Sequence, residues 1–295
     1  MIQLFVLFII SCFAQTKFIE KTLQSKILNQ TMKYAVYFPE GYSPNQKYPI
    51  LYALHGMGLD HFCYQLVEKQ INEAISQKKI KPCIIVTPQA FNSFYINKYD
   101  GSFNFEKYFF DEFIPHVEET YPTQSIKSMR AILGVSMGGF GSAYYSLVKK
   151  DYFSSVVAMS PALLPENGFT FIDTISILKE KFHDLIQSFG NNEYYNQHNF
   201  NFIVRSNPKG FFKTPLYGCI GKQDFLYPFV NSASEVMKEY QMDYIWDVDE
   251  VGAHELTYWI QKMPKVLSFI EEHWSENNTI GISIVFILFC CLLFI

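Results

Sequence analysis

The stretch ILGVSMGGFGS, Ile132 to Ser142, decides how the rest of the chain is read. Within it, Gly134-Val135-Ser136-Met137-Gly138 has the form Gly-x-Ser-x-Gly, preceded by the apolar run MRAIL and followed by a helix-like segment. In an open α/β sheet, reactive groups gather where strands end and turn into helices. A sharp strand-to-helix turn would force the Ser136 side chain out of the sheet, and Gly134 and Gly138 would relieve the crowding of that turn. The N–H of Met137, opening the helix, would point where a negative oxygen could sit. A plain glycine-serine turn accounts for the same five residues, so the remaining sequence must decide.

Strand-like and helix-like segments alternate on both sides of this motif. Strands are expected at Lys33–Pro39, Tyr48–Gly56, Cys83–Pro88, Met129–Ser136, Phe153–Pro161, Pro215–Gly221 and in YIWDVDE (244–250). Helices are expected over Phe62–Gln77, Phe105–Tyr121, Gly138–Lys149, Thr174–Phe189, Val230–Tyr240 and Thr257–Trp274. The order, with apolar central strands, predicts a mostly parallel sheet covered by helices on both faces, in one domain over residues 15–275. The patch NNEYYNQHNFN (191–201) carries no regular pattern.

A serine hydroxyl needs a base within hydrogen-bond reach. In this fold class the chain order is Ser, acid, His, with the last two on loops after later strands. Of the seven histidines, His254 in VGAHELTYW meets that condition. His183 and His198 precede the expected acid, and His273 falls inside the last helix. Asp224 in GKQDFLY sits just past a predicted strand, where an acid that orients an imidazole belongs; Asp247, Asp249 and Glu250 are its rivals. A second oxyanion donor should come from an earlier loop, and His55-Gly56-Met57-Gly58 offers the N–H of Met57. Loss of such a donor typically costs roughly two to three decades in rate. His55 reads as a hydrogen bonder that braces this loop rather than as a base.

Taken together, LYALHGMG, NSFYINKYDGSFNFEKYFFDEFIPHVEETYPT, GVSMGGFGS, GKQDFLY and GAHELTYW resemble, in content and order, a family of serine esterases of the α/β-hydrolase fold. That family includes esterase D (S-formylglutathione hydrolase), tributyrin and feruloyl esterases and the mycolyltransferases, and the likeness runs over most of Tyr34–Trp274. The resemblance implies Ser136 as nucleophile, His254 as base, Asp224 as acid, and the N–H groups of Met57 and Met137 as oxyanion hole. It also places Phe94 and Tyr95, in NSFYINKYDGS, near the substrate. The implied activity is hydrolysis of a small or acylated carboxylic ester, with no metal or organic cofactor. Transfer of the acyl group to another alcohol, a thioesterase acting like S-formylglutathione hydrolase, and a non-catalytic binding module on the same fold are the alternatives.

Composition sets the remaining bounds. The 295 residues are 49% hydrophobic and 18% aromatic, as a packed domain requires, and the net charge of -4 comes without a basic cluster or zinc-finger spacing. Nucleic acid is therefore not an expected partner. Residues 1–14 have the apolar core and small-residue site of a secretory signal, though without a basic start. Residues 279–295 are uncharged and apolar, which suits either a C-terminal transmembrane anchor or a GPI-attachment signal, with Ser275 or Asn277 as attachment site. A secreted or cell-surface, membrane-attached protein is expected, unlike the typically cytosolic S-formylglutathione hydrolase. Secretion would expose the glycosylation sequons at Asn29 and Asn277. Three cysteines, Cys63, Cys83 and Cys219, fall in the globular part and leave disulfide pairing open.

Overall fold

Five strands that are apolar on both faces form the middle of the sheet, as burial under helices on both sides demands. They are β3 (Ile50–Leu54), β4 (Ile84–Pro88), β5 (Arg130–Val135), β6 (Ser155–Met159) and β7 (Leu216–Gly221), and every residue in them is buried. With β1 (Phe18–Ser25), β2 (Gln30–Tyr37) and β8 (Tyr244–Asp249) they make an eight-stranded sheet in the order β1-β2-β4-β3-β5-β6-β7-β8. The β1–β2 and β2–β4 pairs are antiparallel and all others parallel. The computed structural model describes residues 17–166, 183–207 and 214–275.

The parallel strands need crossover helices, and these cover the two faces. On one face lie α1 (Glu68–Ser76), which continues a 3₁₀ turn over Cys63–Val67, and the helix α8 (Leu256–His273) near the end of the described chain. On the other lie α2 (Phe105–Thr120), α3 (Met137–Val148), the short helices α4 (His183–Phe189), α5 (Asn192–His198) and α6 (Phe200–Ser206), and α7 (Tyr227–Glu239). The helix expected as one piece over Phe105–Tyr121 is α2, built of α-turns at Phe105–Tyr108 and Ile114–Thr120 around a π-turn at Phe109–Phe113. Pro115 follows that π-turn; it has no N–H to give the preceding turn, and a widened turn accommodates its ring.

β5 is held at both ends. At its start, Arg130 makes a two-pronged pair with Glu118 of α2, Nε to Oε1 at 2.7 Å and Nη2 to Oε2 at 3.0 Å. Its end carries Ser136, so this clamp fixes the strand that presents the serine.

Two expectations are corrected, and the cysteine pairing left open is answered. β1, not expected, pairs with β2 along its whole length through Phe18↔Tyr37 to Ser25↔Gln30. Apart from its ends and the partly buried Leu23, its side chains are exposed, so it shows none of the alternation that marks a half-buried strand. The patch over 191–201 forms α5 and the start of α6, whose side-chain caps satisfy the free N–H groups of the first turn. Asn191 Oδ1 accepts from Tyr194 N–H at 2.8 Å, and Asn199 Oδ1 accepts from Phe202 N–H at 3.0 Å. Cys63, Cys83 and Cys219 are free thiols, and burial pushes the Cys83 thiol up to about 12.

Asn29 of the first sequon is exposed in the turn between β1 and β2. Residues 1–14, 279–295 and Asn277 lie outside the described residues. Among the described residues, no helix is long and apolar enough to cross a membrane.

Candidate active site

At the end of β5 the backbone turns so sharply that Ser136 adopts φ 57 and ψ −115, a conformation L-residues rarely take. The turn closes only because two glycines leave space. A Cβ on Gly134 would lie 1.8 Å from the carbonyl oxygen of Gly138, and one on Gly138 would lie 2.1 Å from that of Leu54. Hydrogen bonds lock the strained residue: Ser136 N–H donates to Met159 O at 2.9 Å, and Ser136 O accepts from Phe140 N–H at 3.0 Å and Ala162 N–H at 3.1 Å.

His254 and Asp224 converge on this serine from the ends of β8 and β7. A Cβ on Gly221 would lie 2.1 Å from Gly252 O, so the two loops touch backbone to backbone. Gln223 N–H also donates to Gly252 O at 3.2 Å. This contact draws the His254 loop onto the Asp224 loop. His254 Nε2 lies 2.9 Å from Ser136 Oγ, and His254 Nδ1 lies 2.8 Å from Asp224 Oδ2. The carboxylate is fully buried, and its other oxygen accepts from Leu226 N–H at 2.9 Å. With Nδ1–H donated to the carboxylate, Nε2 is left to accept from the serine hydroxyl.

The rival acids are engaged elsewhere. Asp247 is partly buried, which raises its pKa, but hydrogen bonds from Lys265, Tyr217 and Lys262 outweigh this and bring it to about 2. Asp249 pairs with Tyr258 and Lys262, and Glu250 with Lys222. Of the other histidines, His198 Nδ1–H donates to Tyr194 O from within α5, and His273 Nδ1–H donates to Phe269 O from within α8. His183 is the first residue of α4.

Two aromatic rings bracket the imidazole, and the sequence singled out neither. Phe225 lies 4.8 Å from the His254 ring, and Trp259 meets it edge-on at 5.2 Å and 89°. Trp259 is anchored by its Nε1–H, which donates to Ser160 Oγ at 3.0 Å. Phe225 follows the acid and Trp259 opens the last helix, positions where an aromatic residue is also ordinary packing, so no local signal separates them from other rings.

The loop after β3 brings Met57 next to the serine: a Cβ on Gly56 would sit 3.4 Å from Ser136 Cβ. Neither Met57 N–H nor Met137 N–H has a hydrogen-bond partner among the described residues, and both residues line the cleft. His55, wholly buried, braces this loop. Its Nε2 accepts from Ala90 N–H at 2.9 Å, so the proton resides on Nδ1, which donates to Gly56 O at 2.8 Å. Burial lowers the His55 pKa to about 4, against a smaller upward pull from the Gly56 carbonyl and Asp60.

A pH effect follows. His55 binds its proton less tightly folded than unfolded, so its contribution to stability is present above the unfolded value of about 6.5 and is lost as pH falls toward 4. Urea unfolding at pH 6.5 and pH 5 should differ by about 2 kcal/mol from this group. His55→Gln should lose that part of the difference, and an unchanged difference would contradict it.

The cleft measures ≈ 240 Å³ and is lined by Met57, Phe94, Ser136, Met137, Ala162, Phe225, Leu226 and His254. Phe94, which the resemblance implies lies near the substrate, lines this cleft. Tyr95 is not among the residues that line the cleft. Its ring is buried against the helix α3, where a Cβ on Gly141 would lie 2.7 Å away, and its hydroxyl donates to His55 O at 2.8 Å. Consecutive side chains on this loop point apart, and only the first reaches the cleft. Among the described residues no group of His, Cys, Asp and Glu could hold a metal ion.

Residues 25–270 match the model of the family described as "Putative esterase". The chain belongs to this esterase family. It is 31% identical over 147 residues to the protein YjcH of Bacillus subtilis, covering 48% of this chain and 60% of that one. It is 31% identical over 129 residues to an endo-1,4-beta-xylanase/feruloyl esterase of Xylanibacter ruminicola, covering 40% of this chain and 18% of that one. The chain therefore spans less than two thirds of these relatives. A solved ferulic acid esterase structure superposes with a TM-score of 0.72 at 25% identity, over 87% of this chain and 98% of that one. The eight-stranded, mostly parallel sheet is that of the α/β-hydrolase esterases.

Proposed function

We propose that this esterase-family chain is a serine carboxylic-ester hydrolase working through an acyl-enzyme. The observation that carries the reading is the unbroken line from Ser136 Oγ to His254 Nε2 and from His254 Nδ1 to Asp224 Oδ2, at 2.9 and 2.8 Å. Ser136 Oγ attacks the ester carbonyl as its proton passes to His254 Nε2, and Asp224 stabilises the imidazolium formed. The carbonyl oxygen, now negative, takes hydrogen bonds from Met57 and Met137 N–H, the latter at the first turn of the helix α3. The alcohol leaves with the proton from His254. Water enters the same position, gives a proton to His254 as it attacks the acyl carbon, and His254 returns that proton to Ser136 Oγ as the acid leaves. His254, mostly buried but with 18% of its side chain accessible, is open to that water.

The names of the similar proteins favour a carboxylic ester as substrate, one of them being an acetyl esterase. The signal-like start and apolar end support a secreted or membrane-attached protein, with Asn29 placed for glycosylation.

Mixing enzyme with excess p-nitrophenyl acetate should give a burst of p-nitrophenol equal to the enzyme concentration, followed by steady turnover, if deacylation is the slower step. Acetyl on Ser136 in the quenched enzyme is the expected product. Turnover with no acylated protein at any time would overturn the acyl-enzyme. New ester formed at the expense of acid when an alcohol is added would reassign the chain to acyl transfer.

A further inference from the structure

Once Ser136 has added to the carbonyl carbon, three substituents must be placed. The oxyanion faces the N–H groups of Met57 and Met137. The leaving oxygen lies by His254 Nε2, which returns its proton, and so on the side of Phe225 and Leu226. The acyl group takes the remaining side, lined by Phe94 and Ala162.

That side ends at a partition. Phe94 and Ala162 line both the cleft and a small void of ≈ 10 Å³, whose other walls include Phe140, Leu164, Leu185 and Phe189. Ala162 is small, so the Phe94 ring makes up most of the wall. The ring is buried and wedged 6.2 Å from Phe140 and 6.1 Å from Phe189. Its backbone stands at φ 53, beside Tyr95 at φ 60, whose hydroxyl bond to His55 O fixes the loop. That bond ties the backbone carrying Phe94 to the loop that carries Met57, and the rings of Phe140 and Phe189 pack against Phe94. A void this small holds at most about one water and, being lined mainly by apolar groups, no ligand.

We propose that Phe94 sets the length of acyl group the enzyme accepts: its ring closes the acyl side after a short chain, in front of an apolar region that a smaller residue would open. This rests on the ester-hydrolase reading of the site. Each methylene buried beyond the partition would favour the longer ester by roughly fourfold.

The test is kcat/KM for p-nitrophenyl acetate, butyrate, hexanoate and octanoate with wild type, Phe94→Leu and Phe94→Ala. Wild type should fall with acyl length. The octanoate-to-acetate ratio should rise at least about tenfold in Phe94→Ala, with Phe94→Leu between. Should Phe94→Ala fail to fold, Phe94→Leu carries the comparison by the same ratio. Parallel profiles in a folded variant, or a wild type that already prefers octanoate, would overturn the proposal. A wild type inactive on all four esters would instead overturn the ester-hydrolase reading itself.

Discussion

Ser136→Ala should lower kcat on p-nitrophenyl acetate by roughly 10⁴-fold or more while leaving the fold intact. Alanine removes one oxygen whose hydrogen bond runs to His254 at 2.9 Å, and none of the bonds that lock the turn, which come from the Ser136 backbone. The variant should therefore melt close to wild type. Residual rate should come from the Met57 and Met137 N–H groups, which the substitution does not touch. His254→Ala should cost about as much, and the double variant little more, because the two side chains act as one unit. Ordinary turnover in purified Ser136→Ala would rule out the proposed mechanism.

Gly134→Ala should have the largest effect on stability. The added methyl would sit 1.8 Å from the Gly138 carbonyl oxygen and 2.1 Å from its carbon, both backbone atoms at the start of α3. No side chain can move to make room, so strand and helix must separate or the turn must rebuild. A cost on the order of 4 kcal/mol is expected, near the upper end for single substitutions. In a domain of this size that lowers Tm by about 10 °C. Thermal melts of the two proteins check it, and a variant melting within about 2 °C of wild type would contradict the close approach.

The proposed triad is legible because each of its three residues sits beside a strong local pattern. Ser136 has its glycines, Asp224 follows an apolar strand, and His254 lies between a strand and a long amphipathic helix. Strand order then selects His254 from seven histidines without any distance. Phe94 and Tyr95 show where such reading stops. A motif can place a loop near the site, but which neighbour faces the cleft depends on backbone angles, here two successive positive φ values. Trp259 and Phe225 escaped for a related reason: contact with His254 is decided by how two loops meet at Gly221 and Gly252. β1 was missed because an edge strand exposed along most of its length carries no burial pattern. For α5 and α6, by contrast, the cap asparagines Asn191 and Asn199 were present in the sequence. The surrounding polar and aromatic residues hid them.

The central claim is that Ser136 is the one activated nucleophile. It is tested most directly by treating the protein with a fluorophosphonate and locating the adduct by peptide mass mapping. A single adduct on Ser136, absent when the protein carries His254→Ala, is the predicted result. An adduct on another serine, or none on the folded wild type, would contradict it.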